Sequence, residues 1–231
     1  MKTTKLVATM VMAAAMIGIT ACSNFFGPDS AYKSAETTRK TMISDAQLST
    51  LKNMGMPIND GDNPPDVSGY FEANDMDCIK DSDGYESSYQ DFDYYFYFHN
   101  LVNNNLRIDY KNKYGSDKGS GQGALIFGEG NSFTIYMQTQ GSNSTYNISY
   151  TTVDVYSGTL TSSGITNFHH SFIMTSKTGD TNNYLMPVNA ARVYKEGDGL
   201  VAKLNSNPGF SSNIRSVINA TQKSIVMNAK N

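Results

Sequence analysis

The chain has no tryptophan, two cysteines and three histidines, and each scarcity removes a class of protein. Cys22 closes the first apolar run, and Cys78 stands alone in the body of the chain. A single body cysteine cannot build an intrachain disulfide framework, so stability has to come from packing. His99, His169 and His170 are too few for a zinc site without further ligands. His169 and His170 are adjacent, so on a strand they face opposite sides. A formal charge of −3 without a basic run offers nucleic acid no footprint. No apolar stretch approaches the roughly 20 residues of a membrane-spanning helix.

What is present starts at the N-terminus. Lys2 and Lys5 precede the uncharged run Leu6–Ile19, which ends in Ile19-Thr20-Ala21-Cys22. A basic start, a short apolar core and small residues at a cut site are the order of a secretory signal peptide. The cysteine directly after Ile-Thr-Ala makes this segment similar to bacterial lipoprotein signals. That resemblance implies cleavage before Cys22, lipidation of its sulfur and amine, and anchoring by three acyl chains. More than one chain is what stable anchoring takes. Ser23 at the second mature position favours the outer membrane, with the face unspecified.

Behind residues 1–21, the small polar stretch 22–43 reads as a tether. Residues 44–64 hold a punctuated helix and a linker. Ser44 with Gln47 makes a capping box, and Ile43 with Leu48 a hydrophobic staple. Gly55, Met56 and Pro57 are spaced for a left-handed C-terminal cap, a contact back to Leu51 and a stop. The helix is expected over 45–54.

From 65 to 198 the texture is antiparallel β: short runs of Tyr, Phe, Val, Ile and Thr between turns of Gly, Asn, Asp and Ser. Strands are expected over Val67–Ala73, Gln90–Asn100, Leu106–Lys111, Ala124–Phe127, Phe133–Gln138, Asn143–Asp154, Val155–Leu160, Asn167–Ser176 and Tyr184–Tyr194. Gly119-Ser120-Gly121-Gln122-Gly123 reads as a loop. The spacing leaves no room for crossover helices, so strands connect as sequential hairpins. Such a sheet curls shut or packs on a second sheet. The fold class is all-β, as an antiparallel up-and-down barrel, with a β-sandwich as the alternative. Residues 199–231 form a C-terminal segment with a helix over Ser211–Val226.

Gly55-Met56-Pro57-Ile58, Gly61, Asn63-Pro64-Pro65 and Gly69-Tyr70 resemble a signature of uncharacterised lipoproteins from Bacteroides-type bacteria. Ser157-Gly158-Thr159, Ser163-Gly164-Ile165, Phe168 and Gly197-Asp198-Gly199 are similar to the same group. The likeness covers most of residues 45–200 and implies an address, not a chemistry. Gly69-x-Phe71 on the first strand, followed by a meander and a late helix, is loosely similar to lipocalin-like barrels. Only the architecture carries over, because the tryptophan usual at that place is absent.

On strand 90–100, Phe92, Tyr94, Phe96 and Phe98 share one face, and Tyr95, Tyr97 and His99 the other. With Phe133, Met137, Phe172 and Met174, the first set is the candidate lining of a barrel interior. An eight-stranded barrel either fills itself with side chains or holds one small ligand. Tyr95, Tyr97 and His99 are a candidate surface for stacking on a glycan or a protein. Asp81-Ser82-Asp83-Gly84 offers a fragment of a Ca²⁺ loop, but Asp-x-Asp-Gly is also ordinary turn chemistry, and no metal is expected. No Gly-x-Ser-x-Gly elbow or selected carboxylate pair suggests an enzyme. The expectation is non-enzymatic binding without a cofactor. The partners are the membrane, through the lipid, and a small hydrophobic ligand, a glycan or an envelope protein.

Overall fold

The computed structural model describes residues 28–102 and 104–210. The signal segment, Cys22 and the helix expected over Ser211–Val226 lie outside the described residues. Among the described residues no helix is long and apolar enough to cross a membrane.

Helix α1 (Pro28–Met42) occupies most of the stretch read as a tether. Its composition carries no strong apolar stripe, so the stabilising contacts are tertiary. Tyr32 packs edge-on against Phe127 with centroids 5.6 Å apart. Buried Arg39 holds Glu36 at 2.6 Å, reaches forward to Asp45 at 2.9 Å and donates to the Ile43 carbonyl. Helix α2 (Asp45–Asn53) has the expected capping box on Ser44 and Gln47. Its end is a Schellman motif: Met56 N–H bonds Leu51 O at 3.0 Å and Gly55 N–H bonds Lys52 O at 3.0 Å. Gly55 takes the left-handed φ of 99° that this cap requires.

Ten strands follow: β1 (Asp62–Asn63), β2 (Gly69–Asp81), β3 (Phe92–Val102), β4 (Asn105–Asn112), β5 (Asp117–Glu129), β6 (Ser132–Asn143), β7 (Ile148–Leu160), β8 (Gly164–Thr178), β9 (Ala191–Glu196) and β10 (Leu200–Leu204). They form one large sheet. From β2 to β8 each strand pairs antiparallel with the next. The two ends of that run meet through β9 and β10. β9 joins the Met76–Asp81 half of β2 to β8, and β10 joins the Tyr70–Glu72 half of β2 to the start of β8. Pairings therefore run round in a ring. The short β1 adds to the end of β5 in parallel.

Several expected boundaries shift, each for a local reason. Val67–Ala73 continues to Asp81 as β2, bending where the register slips between Ala73 and Met76. Asn143–Asp154 and Val155–Leu160 merge into β7, whose irregularity at Thr151/Thr152 does not break it. Residues 184–190 lie outside any strand, and only Ala191–Glu196 of the expected last strand pairs. β10 falls within the expected C-terminal segment; Asp198 caps its turn by accepting from Leu200 N–H at 3.0 Å. The glycine run 119–123 belongs to strand β5, not to a loop. Neighbouring rings fill the space that side chains there would take. A Cβ on Gly119 would stand 2.5 Å from Tyr110, and one on Gly121 would overlap Met137.

Alternation along the strands separates two cores. All strands from β2 to β10 contribute to an inner cluster that includes Phe71, Phe96, Phe98, Ile108, Ile126, Phe133, Tyr156, Phe168 and Val201. The opposite face of β5 to β9 offers Leu125, Phe127, Tyr136, Val155 and Val193, and α2 and its flanks cover them with Ile43, Leu51 and Met56. Burying a side chain of this size fully contributes about 1.5–3 kcal/mol relative to exposure. The helices thus fix the outside of the sheet and leave its interior free to vary along its length.

Candidate functional site

The interior changes character from one end to the other. Phe96, Phe98, Phe133 and Met137, four of the expected lining residues, are fully buried in a solid cluster. Phe92, Tyr94, Phe172 and Met174, the other four, border a cavity of about 220 Å³. Period-2 alternation brings them together. β3 contributes Phe92 and Tyr94, β7 contributes Tyr150, Thr152 and Asp154, β8 contributes His170, Phe172 and Met174, and β9 contributes Arg192 and Tyr194. Leu185 and Met186 reach in from the loop between β8 and β9.

Polar groups in this cavity are arranged in three sets. Asp117, at the start of β5, accepts from Tyr94 Oη at 3.0 Å and from Tyr150 Oη at 2.5 Å. Tyr150 Oη also meets Tyr110 Oη at 2.8 Å. Burial raises the Asp117 carboxyl above its ordinary range, the two phenols work against that rise, and nearby Asp154 adds to it. Tyr94 and Tyr110 are pushed well above the ordinary phenol value by burial first. In the second set, buried Asp154 takes Thr152 Oγ1 at 2.5 Å and His170 Nε2 at 2.8 Å. A carboxylate accepts only, so Nε2 of His170 carries a proton. The His170 ring lies flat on Tyr156, centroids 4.3 Å apart. In the third set, Arg192 Nε reaches Asp81 at 2.5 Å, and its guanidinium sits 3.6 Å from the centre of the Tyr89 ring.

His169 faces the other way from His170, as adjacency on a strand dictates, and its ring nitrogen bonds the Asn167 carbonyl. Asp117, Asp154, Arg192, Tyr110 and Tyr150 were not among the expected site residues. The signal for Asp154 was present: Tyr150, Thr152, Asp154 and Tyr156 alternate with Val153 and Val155, putting an acid in an inward phase. Asp117 sits in a turn-like stretch, and nothing in the spacing shows that β5 begins there.

Tyr95, Tyr97 and His99 lie on the outer face. Tyr97 stacks on His99 with centroids 4.0 Å apart and on Tyr70 at 4.2 Å, so much of its flat surface is covered by neighbours. His99 Nε2 meets Asp109 at 2.9 Å, and Asp109 also accepts from Ser120. Tyr95 instead carries Lys111 Nζ at 5.5 Å above its ring. Asp81 and Asp83 do not converge as metal ligands. The Asp81 carboxylate takes Arg192 and the Asp83 N–H, while Asp83 is exposed on the turn beside left-handed Gly84. Cys78 is buried outside the cavity, its thiol pushed up to about 11 by burial and by Asp81.

No family model matches the chain, and neither a curated protein nor a solved structure matches it.

Proposed function

We propose that the chain is a lipid-anchored envelope protein that binds a small molecule inside a lipocalin-like, up-and-down barrel. The cavity of about 220 Å³ carries this reading, because aromatic and polar side chains from most strands of the sheet converge on it beside a densely packed cluster. Strand order supports the architecture: the neighbours from β2 to β8 are sequential and antiparallel, and β9 and β10 bridge β2 to β8. Anchoring at Cys22 in the outer membrane rests on the signal segment alone.

Volume narrows the ligand. An apolar cavity of roughly 150 Å³ holds a benzene, and drug-sized pockets begin near 300 Å³. Between an acyl chain and a compact molecule, the space favours a compact one, a ring with a short arm. The alternative, a solid domain that meets a glycan or protein through Tyr95, Tyr97 and His99, has less support, because Tyr97 is already stacked between His99 and Tyr70.

Native mass spectrometry of the chain extracted from its own host envelope tests the reading. A co-purified small molecule is expected, and a bare protein that also binds no hydrophobic dye would end it. Metabolic labelling with an alkyne fatty acid tests the anchor: label on the wild type and none on Cys22→Ala is expected.

A second reading has one observation behind it. His170, Asp154 and Asp117 converge on one cavity, the kind of set that moves protons on a bound substrate. Turnover of the co-purified molecule by wild type but not by His170→Ala would replace binding with catalysis.

A further inference from the structure

The charges that line the cavity do not balance. Arg192 is held by Asp81 and spread over the Tyr89 ring, and His170 is held by Asp154. No cationic group is bonded to the Asp117 carboxylate, since both groups that bond it are phenols. A half-buried carboxylate without a counter-charge favours a cation beside it. Around it stand Tyr94, Tyr110, Tyr150 and Phe172, whose π-faces attract cations. We propose that the cavity binds a small organic ammonium, an amine on a compact apolar body, with the nitrogen at Asp117. The inference rests on the reading of the cavity as a ligand site and adds the chemistry of its occupant.

An anion would meet Asp117 and Asp154 without a free cation to receive it. A neutral alcohol could bond the Asp117 carboxylate but would leave its charge uncompensated. An ammonium does both, because it donates two or three hydrogen bonds and carries the missing charge. Its apolar body then fills the space among Phe92, Phe172 and Met174.

Three probes of matched size separate these cases: 2-phenylethylammonium, 2-phenylethanol and phenylacetate, titrated calorimetrically into the full chain in an amine-free detergent. The ammonium is expected to bind about tenfold or more tighter than the alcohol, with the anion weakest. Asp117→Asn is expected to erase the margin between ammonium and alcohol while leaving alcohol binding in place. Equal affinity for ammonium and alcohol in the wild type would overturn the ammonium assignment and leave the cavity reading standing. Binding of none of the three would overturn both. The wild-type comparison decides the matter even if Asp117→Asn fails to fold.

Discussion

The hydroxyls of Tyr110 and Tyr150 meet at 2.8 Å, although β5 and β6 lie between the strands that carry them. Two glycines make the meeting feasible. Gly119 pairs with Gly141 across β5 and β6, and on the flanking strands it is Tyr110 that pairs with Gly119 and Tyr150 with Gly141. Each ring leans over the glycine beside it. A Cβ would stand 2.5 Å from the Tyr110 ring at Gly119 and 2.3 Å from the Tyr150 ring at Gly141. The glycine pair is a notch cut in two strands so that two phenols can meet and Tyr150 can reach Asp117.

Gly119→Ala and Gly141→Ala therefore test the notch. Neither glycine needs a left-handed backbone, so removing unfolded-state freedom would by itself stabilise by about 0.4–1 kcal/mol. Overpacking against a ring costs about 1–3 kcal/mol and wins. Each variant is expected to melt several degrees lower, since about 1 kcal/mol moves Tm by roughly 2–4 °C at this size. Probe affinity is expected to fall with it. Unchanged melting and unchanged binding would show that the rings have room to move.

The outline of this arrangement was legible before the fold. Phe92, Tyr94, Phe96 and Phe98 alternate cleanly with Tyr95, Tyr97 and His99, and they do part to opposite faces. The caps of α2 were legible for the same reason: Ser44, Gln47 and Gly55 act within a few residues of themselves. What could not be read is whatever depends on partners far along the chain. The glycine run at 119–123 looks like a loop until Tyr110 and Met137 are known to fill its gaps. Asp117 and Asp154 look like solvated acids until the strands from β2 to β9 wrap the cavity they line. α1 has little pattern of its own, and its order comes from Arg39 and Tyr32 reaching other elements.

Glu196 gives a prediction in pH. It is buried, and burial followed by the neighbouring Asp198 and Asp75 raises it to about 8. A carboxyl raised in the fold binds its proton more tightly there than in the unfolded chain. Folding is thus favoured at low pH and loses that advantage as pH climbs from the ordinary glutamate value, near ~4.3, through about 8. Glu196→Gln removes the charge and should flatten this part of the curve. Thermal melts across that range are expected to favour the variant increasingly toward alkaline pH. A constant difference would show that Glu196 ionises normally.

Asp81 and Arg192 form a buried pair between the end of β2 and β9, with the Asp81 side chain fully enclosed. Removing one partner strands the other: Asp81→Asn is expected to cost about 3–5 kcal/mol. Asp81→Asn with Arg192→Met should recover most of that loss, because no uncompensated charge remains. Denaturant titrations of wild type, Asp81→Asn and the double variant measure the loss and its recovery, and Arg192→Met completes the cycle that gives the coupling. The single variant also frees a guanidinium that lines the cavity, so phenylacetate should bind it more tightly than it binds the wild type. If the double variant is no more stable than Asp81→Asn, the loss comes from the turn, where Asp81 also takes the Asp83 N–H.

Asp180 holds the loop that closes the cavity. Its enclosed carboxylate accepts from Tyr184 N–H at 2.7 Å, from Leu185 N–H at 3.1 Å and from Lys177 Nζ at 2.6 Å. Lys177 also donates to the Leu185 carbonyl at 3.0 Å, so one ion pair holds both backbone polar groups of Leu185. Burial alone would raise this carboxyl, but Lys177 and the two amides outweigh it and hold it below its usual range. The sign follows: the loop's stabilisation is present above the ordinary aspartate value, near ~3.9, and is lost as pH falls below it through the lowered folded value. Asp180→Ala should mimic that loss at neutral pH. Amide exchange at Tyr184 and Leu185 is expected to quicken by about tenfold or more, as local opening no longer breaks charged hydrogen bonds. The core amides of β6 and β7 should keep their protection. A bound probe should leave faster in the same variant, because Leu185 and Met186 form the wall it must pass. If exchange quickens and release does not, the ligand enters from another side and the loop is only a brace.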